Sequence, residues 1–136
     1  MSERVLTVRE LNRALLARQL LLERRKLCVS TAIACVGPLH AQGVESTYVN
    51  LWSRIDGFRR EQLTRALERR TVVRGRPLRS TLHLTSADDH GAFHAAARDY
   101  RADWWQRATG RRYEPRTIAR AEEIVRREGR ELTRSW

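Results

Sequence analysis

Between Thr71 and Leu84 the spacing of apolar residues switches from a helical to a strand-like period, and this switch limits what the chain can fold into. Thr71-Val72-Val73-Arg74 and Leu78–Leu84 are β-prone runs separated by Gly75-Arg76-Pro77, the form of a hairpin. In the second run Ser80, Leu82 and Leu84 fall on one side, and Thr81 and His83 on the other, outward side.

Everything around that hairpin reads as helix. Thr7-Val8-Arg9-Glu10 has the form of a capping box and opens a helix of about Thr7–Arg24. Leu11, Leu15, Arg18 and Leu22 share a face, while Leu16, Leu20 and Leu21 widen the apolar arc, predicting burial over much of the circumference. Ser30 or Thr31 caps a short second helix that runs to Val36 and stops at Gly37-Pro38. A loop, Gly37–Ser46, follows. Tyr48, Leu51, Trp52 and Ile55 give a third helix with an aromatic core face, ended by Asp56-Gly57. Phe58 staples the start of a fourth, Arg59–Arg70, with Leu63, Ala66 and Leu67 inward and Arg59, Arg60, Arg65, Arg69 and Arg70 outward.

After the hairpin, Ser86-Ala87-Asp88-Asp89 restarts a helix with acids in its first turn, where the macrodipole favours them. That helix continues to about Thr109 and closes at Gly110. Pro115–Glu128 forms the last helix, ended by Gly129, and Glu131–Trp136 looks like the opening of another element.

Helices followed by a two-stranded wing describe a winged helix-turn-helix unit. The fold class expected is therefore mainly α with one β-hairpin: a winged-helix domain over residues 1–85 and a helical extension over 86–136. In such a unit one helix lies in a DNA groove and the wing touches the adjacent backbone. The fourth helix suits the groove, and Arg74, Arg76 and Arg79 stud the wing.

Charge points the same way. Lys+Arg total 27 against 16 acids, a net +11, and all of the basic residues but Lys26 are arginine. Part of that skew reflects coding bias and solvated helix faces. Even so, such a field on 136 residues makes polyanions, above all double-stranded DNA, the natural partner.

No window approaches the roughly 18 uncharged apolar residues of a membrane span, and no secretory signal is visible, so a cytoplasmic, nucleoid-associated location is expected. Cys28 and Cys35 lie seven apart in an apolar stretch, without a CxxC or a further cysteine to complete a zinc site. Buried, reduced thiols are the expected state. His90 and His94 are four apart on a helix, yet no third ligand joins them at metal spacing, so neither metal nor cofactor is expected. Trp104-Trp105 offers a ring that can stack on a base or pack in a core. His83, on the outward strand face, can reach phosphate or a damaged base.

Three stretches resemble a known family. Leu6–Arg24 (LTVRELNRALLARQLLLER), Tyr48–Phe58 (YVNLWSRIDGF) and Arg79–Asp89 (RSTLHLTSADD) are similar to landmarks of the AlkZ-like crosslink-repair DNA glycosylases. The resemblance covers about Leu6–Trp105. It implies tandem winged-helix domains and hydrolysis of the N-glycosidic bond of bulky alkylated bases, including crosslinks. Family members are considerably longer, so residues 86–136 are expected to begin a second, incomplete winged-helix domain. The family's catalytic landmark is a Gln-x-Gln motif in the loop after the second helix. The matching stretch here is Leu39-His40-Ala41-Gln42, with Gln42 in the second position and His40 in the first.

An N7-alkylated purine is already a cationic leaving group, so strong acid catalysis is dispensable. A water must still be held beneath C1′. The amide oxygen of Gln42 can accept a water proton, and a neutral His40 can do the same, the reference imidazole pKa being about 6.5. Two other readings stay open. One is a non-catalytic DNA-binding module, a regulator or a lesion-sequestering protein, in which His40 and Gln42 merely bond nearby backbone. The other is an inactive fragment. Oligomeric state is open as well.

Overall fold

The computed structural model describes residues 5–78, 80–110 and 114–132, of which 128–132 as backbone alone. Mainly α with a β-hairpin, the chain forms two compact units, Met1–Arg101 and Ala102–Trp136.

Helix α1 (Val8–Arg18) starts on the expected capping box. Glu10 N–H donates to Thr7 Oγ1 at 3.3 Å, and Thr7 N–H donates back to Glu10 Oε2 at 2.9 Å. The helix stops at Arg18, short of the expected Arg24, because Leu20 turns the chain with φ +55° and buries its own side chain instead. The expected burial of this helix is corrected too: none of its residues is buried, and Leu11, Leu15 and Leu16 are exposed. Arg25 then bridges to Ile55, Arg25 N–H donating to the Arg54 carbonyl at 2.9 Å.

Helix α2 (Val29–Val36) is capped at Cys28, ahead of Ser30 and Thr31, and buries Val29, Ala32 and Ile33. It ends at Gly37, whose φ of +81° is open to glycine and costly for other residues. The predicted loop then contains a two-residue strand, β1 (Leu39–His40). Helix α3 (Val44–Trp52) buries Thr47 and Leu51. The aromatic core face is only partly realised: Tyr48 is half-buried, while Trp52 is exposed and carries the Arg24 guanidinium 3.6 Å over its ring. Helix α4 (Arg60–Glu68) turns Leu63 and Ala66 inward but leaves Leu67 exposed.

The hairpin is β2 (Val72–Leu78) and β3 (Thr81–Ser86), antiparallel, with the sheet order β1-β3-β2. Its turn lies later than expected. Gly75-Arg76-Pro77 belongs to β2, which runs to Leu78, and the chain reverses before Thr81, with Ser80 at φ +56°. Pro77 has no N–H to give a ladder, and the pairing register shifts between Gly75 and Leu78, which accommodates it.

Ser86 caps helix α5 (Ala87–Ala96), accepting from Asp89 N–H at 3.2 Å. The single helix expected to Thr109 is interrupted at buried Ala97 (φ −98°, ψ 5°), where α6 (Arg98–Thr109) begins. Helix α7 (Pro115–Leu132) runs through Gly129, past its expected end. Of Glu131–Trp136, read as a further element, Glu131 and Leu132 continue α7, and residues 133–136 lie outside the described residues.

The sheet is covered on both faces. Leu39, Leu84 and Val72 join Ala32, Ile33, Leu51, Ile55 and Leu63 in one core beneath α2, α3 and α4. Across the sheet, α5 packs on β2 and β3. His83 is consequently 4% exposed, so the outward strand position expected for it is corrected: the outer face has a lid. Cys28 and Cys35 are free and exposed, correcting the expected burial; α2 turns Val29, Ala32 and Ile33 to the core and leaves both thiols outside. Among the described residues no helix is long and apolar enough to cross a membrane.

Candidate functional site

His40-Ala41-Gln42 lies along the open edge of the sheet, with its backbone held at His40 and Ala41 and its Gln42 side chain tied to β3. Ala41 N–H donates to the Leu82 carbonyl at 2.8 Å. The Ala41 carbonyl accepts from Arg74 Nε and Nη2 at 3.3 and 3.0 Å. The His40 carbonyl accepts from Asn50 Nδ2 at 3.3 Å. Ala41 itself is 0% exposed, while His40 and Gln42 are exposed on either side of it. The alternation expected of an extended segment thus buries the middle residue and frees its neighbours.

Each of the two exposed side chains has one partner on β3. Gln42 Oε1 accepts from Leu82 N–H at 3.1 Å, so the side-chain amide continues the ladder where β1 ends. A carbonyl oxygen has a second lone pair, which leaves that atom able to take a water proton. The His40 ring stands edge-on to the His83 ring, 83° between planes and 5.4 Å between centroids. His83 Nδ1 lies 2.9 Å from the Thr81 carbonyl, which can only accept, so Nδ1 carries the proton and Nε2 is the acceptor of the neutral ring.

His40, His83 and Gly75 form one cross-strand row. Beyond Gly75 sits His90 of α5. A Cβ on Gly75 would stand 2.9 Å from His90 Cε1, so glycine is what lets α5 close on the sheet here. His90 Nδ1 pairs with Thr85 Oγ1 at 2.8 Å, and its ring centroid is 6.1 Å from that of His94. Burial, then the charge of Arg101, hold His94 below the ordinary imidazole range. The described residues contain no cluster of three metal-ligating side chains.

The arginines expected on DNA divide into two sets. Arg59, Arg60, Arg65, Arg69 and Arg70 are exposed on and around α4, Arg60 lying 5.2 Å over the Tyr48 ring. Arg65 and Arg69 border a cleft of about 330 Å³ whose far wall includes Cys28. Hydrogen bonds from Ser30, then Thr31, lower the Cys28 thiol to about 7. Arg76 is exposed on β2, its carbonyl accepting from Arg101 Nη1 at 3.3 Å. Arg79 lies outside the described residues. Arg74 is exposed, yet its guanidinium reaches back to Ala41, and His83 is enclosed. Trp104 and Trp105 are both exposed.

Sequence reasoning missed the fixing residues: Asn50 and Leu82, and the grip of Arg74 on Ala41. An Asn two residues past Tyr48 carries no signal of a bond ten residues back. It also missed Arg54, which is 6% exposed and donates Nη1 to the Asn50 carbonyl at 2.8 Å. Its Nε has no hydrogen-bond partner among the described residues, and burial lowers its pKa.

Comparison with known proteins adds one match. The family model described as DNA glycosylase AlkZ-like matches residues 33–135. No curated protein and no solved structure matches. The matched span starts within α2 and takes in the motif strand, α4, the hairpin and everything described beyond it. It omits α1, one of the three stretches on which the sequence resemblance rests. With about three-quarters of its length matched by that family model, this chain belongs to the family of AlkZ-like DNA glycosylases.

Proposed function

We propose that the chain is the part of a DNA-repair glycosylase that grips duplex DNA through a winged helix and hydrolyses the N-glycosidic bond of N7-alkylated bases at His40 and Gln42. The family gives the coarser part, a glycosylase-related role in DNA repair with DNA as the partner. A nucleoid-associated, cytoplasmic location follows as part of the same proposal.

The winged-helix reading is supported by element order. A short strand stands between α2 and α3, a hairpin follows α4 directly, and the first strand pairs with the last. In this reading α4 enters a groove, and Arg59, Arg60, Arg65, Arg69 and Arg70 meet phosphates, with Arg76 on the wing. Such contacts position the protein and make its affinity fall steeply with salt.

One observation carries the catalytic reading: two exposed side chains with acceptor atoms flank Ala41, and the peptide groups on both sides of it are held by Asn50, Leu82 and Arg74. In the reaction the C1′–N9 bond breaks and its electron pair neutralises the alkylated purine. A water oxygen forms the new bond to C1′ and loses a proton. Gln42 Oε1 and a neutral His40 accept from that water and keep it beneath the sugar. A backbone that cannot drift keeps both acceptors aimed, and orientation of this kind contributes a large share of a barrier.

Excision of N7-methylguanine from a duplex tests the proposal. Gln42→Ala is expected to lower the single-turnover rate about 100-fold with duplex affinity unchanged; equal rates would refute the role. The Gln42–Leu82 bond favours a second reading, a non-catalytic DNA-binding module, because it already occupies that amide. Release of abasic sites by the wild-type chain separates the two.

A further inference from the structure

Arg74 was read from the sequence as a wing arginine for phosphate, but its guanidinium reaches elsewhere. Its cross-strand partner on β3 is Leu84, and Leu84 in turn pairs with Leu39 on β1. Arg74 therefore starts from one outer strand, crosses the central strand over buried Leu84, and ends on the Ala41 carbonyl beyond the other outer strand. Two N–H groups, Nε and Nη2, converge on that single oxygen.

The peptide it meets sits between the two motif side chains. β1 is a two-residue edge strand, and so short a strand holds its place only through its neighbours. Its ladder with β3 fixes the Ala41 N–H, and Arg74 fixes the Ala41 carbonyl. A bond from a charged donor is roughly twice as strong as a neutral one. We propose that Arg74 is a positioning residue: by clamping the Ala41 carbonyl it sets the direction in which His40 and Gln42 face the sugar. This rests on the catalytic reading of those two residues. It also gives the hairpin a second task, because any movement of β2 against β3 is passed to the motif through one side chain.

The competing role is a phosphate contact, for which the guanidinium retains other donors. Two variants separate the roles. Arg74→Lys keeps the charge but gives up the planar fork, and Arg74→Gln removes the charge. Amide hydrogen exchange on the full chain reads the clamp directly. In both variants the Ala41 amide is expected to exchange at least tenfold faster, with residues along the Val72–Ser86 ladder unchanged. Single-turnover excision of N7-methylguanine should fall about tenfold or more. Duplex affinity should stay within about twofold of wild type, with the same dependence on salt.

Unaltered Ala41 exchange in Arg74→Gln would overturn the proposal. So would a salt slope lower by about 0.9 in Arg74→Gln and restored in Arg74→Lys, with excision following affinity, which is the mark of a phosphate contact. Faster exchange throughout the hairpin would equally overturn it, since the role would then be one of general stability. A wild-type chain that excises nothing would defeat the catalytic reading instead, and Ala41 exchange in the two variants would still decide whether Arg74 is the clamp.

Discussion

The edge of the sheet and helix α4 handle polar groups in opposite ways. Along His40–Gln42, backbone and side-chain groups are tied to Asn50, Arg74 and Leu82. On and around α4 the five arginines stand exposed. The difference matches what each proposed task requires. Bond cleavage needs acceptors held to fractions of an ångström. Phosphate binding needs charge within reach, and a solvated guanidinium that finds its own partner serves well. Both fit in one chain because they use different groups: the sheet ties the motif backbone while packed on both faces, and α4 turns Leu63 and Ala66 to the same core and its arginine side chains to solvent.

The sharpest way to break this comparison is to loosen the core beneath the rigid part. Leu84 is 1% exposed and lies in the cross-strand row between Arg74 and Leu39. Leu84→Ala should destabilise the chain by about 3 kcal/mol, read from urea unfolding. A loss under about 1 kcal/mol would mean that the sheet is not what holds the motif.

Next in size is Gly75→Ala. Its Cβ meets His90 Cε1 at 2.9 Å, so α5 must shift or the His90 ring must turn. Overpacking of this kind costs about 1–3 kcal/mol. Removing the ring as well should restore stability, and a double-mutant cycle with His90→Ala should therefore show coupling above about 1 kcal/mol. Additive losses would show that the lid does not press on the sheet there.

The smallest effect on stability belongs to α4. Arg65→Ala and Arg69→Ala each remove an exposed side chain and should change unfolding by no more than about 0.5 kcal/mol. In duplex binding, each should lower the slope of log affinity against log salt by about 0.9. A stability loss as large as that of Leu84→Ala would erase the distinction between the two regions.

Legibility followed the same division. The capping box at Thr7, the inward set Leu63 and Ala66, and the exposed arginines on and around α4 were readable because caps and helical period are local: each depends on residues three or four apart. The hairpin was readable as a change of period, but its turn was not, since Gly75-Arg76-Pro77 carries every turn signal and is nevertheless absorbed into β2 by a shift of register. His40 and Gln42 were found by resemblance to a motif. The bonds that hold them join residues 10, 33 and 40 positions apart, which no spacing rule covers.

From its sequence alone this protein had the order of its helices up to the hairpin, its arginine face and the residue types at its motif, because local periodicity and charge are properties of neighbours along the chain. Tertiary structure decided that Leu39–His40 is a strand, that α5 encloses His83, that the α1 leucines lie exposed, and that Arg74 turns to Ala41. A two-residue strand has no hydrogen bonds of its own. It exists only once β3, more than forty residues later, is in place to pair with it.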